Sequence, residues 1–95
     1  MTVYAVFVRD EMTNQAEFDT YNTLVPDANV GHPLKPLAVY GQHVTLEGPA
    51  IEGAVILEFP TMAEAKAWYN SPAYQKAVKH RHAAAKYHAF LVEGL

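Results

Sequence analysis

Two short apolar runs constrain this chain most. Val3 to Val8 reads Val-Tyr-Ala-Val-Phe-Val, and Ala54 to Phe59 reads Ala-Val-Ile-Leu-Glu-Phe. Each is too short for a buried helix and rich in β-branched or aromatic residues, so each reads as a strand covered on both faces. Two further segments carry more polar residues. Ala38 to Glu47 mixes Tyr40, Gln42, His43 and Thr45 with apolar residues, and Gly41 marks a candidate bulge. Tyr87 to Glu93 is flanked by polar groups. These two are expected to be edge strands.

Helical patterns separate the strands. Asn14 precedes Glu17 by three residues, as a capping box requires, and Phe18, Tyr21, Leu24 and Val25 follow at helical spacing. Pro26 is expected to end or bend this helix. Thr61 with Glu64 forms a second box, and Ala65, Trp68 and Tyr69 share one face of the helix it opens. Ser71-Pro72 restarts the helix, with Ser71 as N-cap and Pro72 at the first helical position. Because Pro72 disfavours helical geometry at Ser71, a bend is expected near Asn70-Ser71. Tyr74, Ala77, Val78 and Arg81 line one side of the restarted piece. Pro26 to Pro36 reads as a turn-rich connection, and Glu47 to Gly53 as a hairpin loop.

The resulting order is βαββαβ. It predicts a single α+β domain over residues 1–95, ferredoxin-like, with a four-stranded antiparallel sheet and the helices on one face. Apolar residues on the other face then need a cover. With 51% hydrophobic residues in 95, a second copy of the sheet is the simplest cover, which predicts a homodimer through the sheet face.

Composition excludes several classes. The chain has no cysteine, so disulfides and thiolate metal sites are ruled out. Its formal charge is −3, and Lys79-His80-Arg81-His82 is its one basic cluster, which disfavours nucleic acid as a partner. No run approaches the ~20 apolar residues of a membrane span, and no leader-like segment precedes Val3, so a cytoplasmic protein is expected. His80 and His82 lie about 200° apart around a helix and cannot readily share one ion. No metal or cofactor is expected.

Leu57-Glu58-Phe59-Pro60, Ala65, Ala67-Trp68-Tyr69-Asn70-Ser71-Pro72-Ala73-Tyr74-Gln75 and Arg81 together resemble the signature of the domain-of-unknown-function family numbered 1330. Gly41 with Leu46-Glu47-Gly48, and the closing Val92-Glu93-Gly94-Leu95, are similar to it as well. The resemblance implies the dimeric α/β-barrel superfamily, in which two ferredoxin-like protomers pack sheet to sheet. Many members carry Arg-Gly-Gly in the second strand, where this chain has Tyr40-Gly41-Gln42. Related families include cofactor-free monooxygenases, muconolactone-isomerase-like enzymes, haem-handling enzymes and plain ligand binders. Fold likeness alone does not choose among these.

The residues themselves point to a small-molecule site built from His43, Glu58, Trp68, Tyr74 and Arg81. Glu58 is the single charge in an apolar strand, on the face of Ala54 and Ile56. It is either a base or ligand-orienting group, or half of a structural ion pair, and the latter is the simpler account. Arg81 ends an inward-looking helical row and would pair with Glu58 or hold an anion or enolate. The two are therefore expected on one side of the protomer, beside Trp68 and Tyr74. Those aromatic rings line either a cavity or an ordinary core. His43 is an alternative base, or an exposed edge-strand histidine. No catalytic residue can be assigned. Three functions remain open: a homodimeric module binding a small, partly apolar molecule; a cofactor-independent monooxygenase or isomerase using Glu58 or His43 as base; and a module that only dimerises.

Overall fold

A computed structural model describes residues 1–95. Strand β1 (Val3–Met12) leads into helix α1 (Gln15–Asn29), then β2 (Lys35–Val39) and β3 (Gly53–Phe59). Helices α2 (Met62–Tyr69) and α3 (Pro72–Ala84) follow, and β4 (Ala85–Glu93) closes the chain. The sheet is antiparallel in the order β2-β3-β1-β4. The two continuous apolar runs thus occupy the centre, as their composition predicts. No helix is long and apolar enough to cross a membrane.

The capping residues act largely as expected. The Asn14, Thr61 and Ser71 side chains accept hydrogen bonds from the backbone N–H of Glu17, Glu64 and Tyr74 at 3.2, 3.1 and 3.2 Å. The reciprocal halves of both boxes are unmade. Glu17 turns to the Nδ1 of His80 at 2.7 Å, and the buried Glu64 Oε2 has no partner. The break between α2 and α3 falls at Asn70-Ser71, where Pro72 enforces extended geometry on Ser71. Pro26 does not end α1, which continues to Asn29. A proline inside a helix removes the hydrogen bond to the carbonyl four residues back, here Asn22, and the helix nonetheless runs on through Ala28, which is buried in the core.

The second strand lies earlier and is shorter than the sequence predicts. It spans Lys35–Val39, and residues 41–52 form an exposed connection. Pro36 is tolerated because β2 pairs only with β3 and needs no donor on its outer side. Tyr40 ends the strand in the left-handed region, with φ of 50°. The irregularity in pairing lies between Pro36 and Ala38, so Gly41 is not a bulge.

Strand alternation divides the sheet into two unlike faces. Val3, Ala5, Phe7, Leu57 and Phe59 point towards the helices and are buried against Ala65, Trp68, Tyr74, Val78 and Ala28. The opposite face carries Tyr4, Val6 and Val8 of β1 beside Ala54, Ile56 and Glu58 of β3. Val92 and Phe90 of β4 continue that face opposite Tyr4 and Val6. Phe90 is 53% exposed and Val92 46%, so this face is uncovered in the single chain.

Candidate functional site

Helix α1 packs on α3 and stands off from the sheet above β2 and β3, which leaves a cavity of about 240 Å³ between them. Fourteen residues line it, and ten are hydrophobic, so the hollow is mainly apolar. Phe7, Val55 and Leu57 form the floor. Tyr21, Val25 and Asn29 come from α1, Leu34 and Pro36 from the segment after it, and Trp68 from α2. Arg81 of α3 is the one charged residue in the lining.

Arg81 is 2% exposed, yet it forms no ion pair, and its Nε is buried without a hydrogen-bond partner. Its guanidinium carbon sits 4.6 Å from the centre of the Tyr87 ring and 5.3 Å from that of Phe7, so aromatic faces replace a carboxylate as its neighbours. Arg9 is different. It lies between the Phe18 and Tyr40 rings and approaches a carboxylate oxygen of Glu52 at 3.3 Å.

Two tyrosine pairs add hydroxyl groups to the site. The Tyr21 and Tyr74 hydroxyls lie 2.9 Å apart, and those of Tyr40 and Tyr87 lie 2.6 Å apart. Burial pushes the Tyr21, Tyr40 and Tyr74 phenols above their ordinary range, so all three are neutral donors at physiological pH. Gly53 makes the place of Tyr40 possible, since a Cβ there would lie 2.7 Å from the Tyr40 ring. The Trp68 indole donates to Asn29 Oδ1 at 2.8 Å and fixes that amide at the cavity wall. A second hollow, of about 270 Å³, lies between α2 and β4, and its one charged residue, Lys66, is exposed.

Of the five residues singled out in the sequence, Trp68 and Arg81 line the cavity, and Tyr74 stands behind it, bonded to Tyr21. Glu58 does not join them. Leu57 and Phe59 point to the helices, so Glu58 points to the other face, beside Tyr4 and Lys35 in register. The expected Glu58–Arg81 coupling is therefore incorrect: the sheet lies between them. His43 is not on an edge strand either. It sits in the exposed connection after β2, its Nε2 3.0 Å from the Ile51 carbonyl oxygen. No three His, Asp or Glu side chains converge as a metal site would require.

Tyr21, Tyr87 and Asn29 were not foreseen. Tyr21 was visible as part of the apolar stripe of α1, and Tyr87 by alternation with Ala89 and Leu91. Nothing local in the sequence marks Asn29, whose partner is 39 residues away.

A four-stranded antiparallel sheet with helices on one face, and a hollow between the layers, defines a ferredoxin-like α+β protein. The chain belongs to the family described as Domain of unknown function (DUF1330), whose model matches residues 2–95. Among solved structures it is similar to the RPA0582 protein of unknown function from Rhodopseudomonas palustris, with 20% identity and a TM-score of 0.78 over 99% of this chain and 82% of that one. It is also similar to a dimeric ferredoxin-like protein of unknown function from Thermobifida fusca, with 11% identity and a TM-score of 0.65 over 97% and 90%. SnoaB, a cofactor-independent oxygenase from Streptomyces nogalater, shares the fold at 11% identity and a TM-score of 0.55 over 99% and 91%. No curated protein matches.

Proposed function

We propose that the protein is a homodimeric module that binds a small, mainly apolar molecule in the cavity under α1. The cavity itself carries this reading. A hollow of about 240 Å³ exceeds the ~150 Å³ apolar cavity that accepts a benzene ring, and an apolar lining favours an organic occupant over water. A module that only dimerised would have no use for such a space. A cofactor-independent enzyme with Glu58 or His43 as its base finds no support within one protomer. Neither side chain reaches the cavity, and no His, Asp or Glu lines it.

The test of pocket binding uses benzamide as a neutral probe and Trp68, the one tryptophan, as reporter. Benzamide is expected to change the Trp68 emission saturably, at roughly millimolar concentration for so small a ligand. Val55→Phe places a ring in the floor of the cavity and is expected to abolish the response while the far-ultraviolet circular dichroism is retained. An identical response in the folded variant would place the probe elsewhere.

The dimer reading rests on the helix-free face, where Tyr4, Val6, Ile56, Phe90 and Val92 form one apolar strip. Solved structures of the same fold described as dimeric support it. A standard interface would bury about 1,200–2,000 Å² in total. Sedimentation velocity at low micromolar concentration should give twice the 10.5 kDa chain mass. Ile56→Lys should give the monomer. A folded wild-type monomer would refute the interface.

A further inference from the structure

We propose that the ligand of this cavity is a small apolar monocarboxylate, held by its anion against Arg81. This rests on the reading of the cavity as a binding site and adds the chemical class of what it binds.

An arginine buried to 2% exposure stays charged, because its guanidinium cannot lose its proton in a protein. Burying such a charge is costly unless an opposite charge and hydrogen bonds compensate. The protomer supplies no carboxylate within ion-pair distance, and the Arg81 Nε is left without an acceptor. The Tyr74 hydroxyl and the faces of Phe7 and Tyr87 are its neighbours instead, and none carries a negative charge, so an anion in the cavity would supply the charge and the Nε acceptor that the protomer does not.

Beside the amide of Asn22, the lining offers groups that can donate. Asn29 commits its Oδ1 to the Trp68 indole, which leaves its amide N–H groups free to donate. Each tyrosine pair uses one hydroxyl proton between its two oxygens and keeps the second. Tyr21, Tyr40 and Tyr87 all border the cavity. A hollow with one fixed cation, several neutral donors and no carboxylate suits an anion with two acceptor oxygens.

No Asp, Glu or His lines the cavity, so a negative charge beside Arg81 has to come with the ligand, as an ionised carboxylic acid brings it at physiological pH and a neutral alcohol or amide does not. One cation matches one negative charge. The ten hydrophobic lining residues then require the remainder to be apolar, a single ring or a short branched chain for this volume.

Isothermal titration with benzoate and with benzamide, which differ chiefly in charge, tests this. The wild type is expected to bind benzoate roughly 10- to 100-fold more tightly, the range of a charge-assisted hydrogen bond. Arg81→Met should erase that preference by weakening benzoate far more than benzamide, while Arg81→Lys should keep part of it. The wild-type comparison stands even where the Met variant fails to fold. Equal binding of the two probes, both blocked by Val55→Phe, would overturn the carboxylate assignment and leave the pocket reading intact. Binding of neither probe, or binding indifferent to Val55→Phe, would overturn the pocket reading and this assignment with it.

Discussion

Trp68→Ala is expected to cost about 3–5 kcal/mol, the usual range for deleting a large buried aromatic side chain. Trp68 is 2% exposed and joins the two layers. Its ring centre lies 4.2 Å from that of Tyr74 and 5.4 Å from that of Phe59, and Phe7 meets it edge-on at 6.1 Å. The truncation would also leave Asn29 Oδ1 without its donor. Small domains are stable by only about 5–15 kcal/mol, so the variant should melt tens of degrees lower or fail to fold. Urea denaturation followed by circular dichroism measures this. Trp68→Phe, which keeps a ring and loses only the indole donor, should cost markedly less. A loss below about 1 kcal/mol for Trp68→Ala would mean that the aromatic cluster does not hold the layers together.

Stability should collapse above about pH 10, where tyrosine ionises in an unfolded chain. Burial raises the Tyr21 and Tyr74 phenols above that value in the folded protein, and Tyr40 follows for the same reason. Below pH 10 both states hold these protons, and the tyrosines contribute no pH dependence. Above it the unfolded chain releases protons that the native state retains, so stability falls as pH rises. Tyr21 and Tyr74 together set a slope of up to about 2.7 kcal/mol per pH unit, at 1.36 kcal/mol for each proton. The more open Tyr40 adds less. Urea midpoints from pH 8 to 11, with phenolate absorbance recorded in parallel, test this. Absorbance from these residues should appear together with unfolding, and Tyr21→Phe/Tyr74→Phe should flatten the slope. Ionisation of these phenols in a still-folded protein, with unchanged midpoints, would contradict their burial.

Much of the framework was legible because it rests on local chemistry. Asn14, Thr61 and Ser71 mark helix starts through side-chain oxygens that accept nearby N–H groups, and Pro72 marks the break between α2 and α3. The row Tyr74, Ala77, Val78 and Arg81 is buried as helical spacing predicts. The second strand was misplaced because Val44 and Thr45 look strand-forming, whereas Lys35-Pro36 does not. An edge position removes the usual objection to Pro36, and edge position is a property of the whole sheet.

Glu58 shows a different limit. Alternation correctly groups it with Ala54 and Ile56, but period-two spacing does not say which of the two groups meets the helices. Leu57 and Phe59, the neighbours on either side, take that role. Arg81 was legible as an inward-facing residue. Its lack of a carboxylate partner was not, since that depends on where every carboxylate lies after folding.

The hollow between α1 and the sheet is expected to bind a small molecule. Nitrogen-15-edited nuclear magnetic resonance during a benzoate titration tests it most directly. Saturable shifts are expected at the Trp68 indole N–H, at the backbone amides of Leu34 and Val55, and at the Arg81 side chain, all at the cavity wall. Tyr4, Val6 and Val92, on the far side of the sheet, should stay still. Shifts confined to those far-side residues, or no saturable shifts at all, would contradict the account.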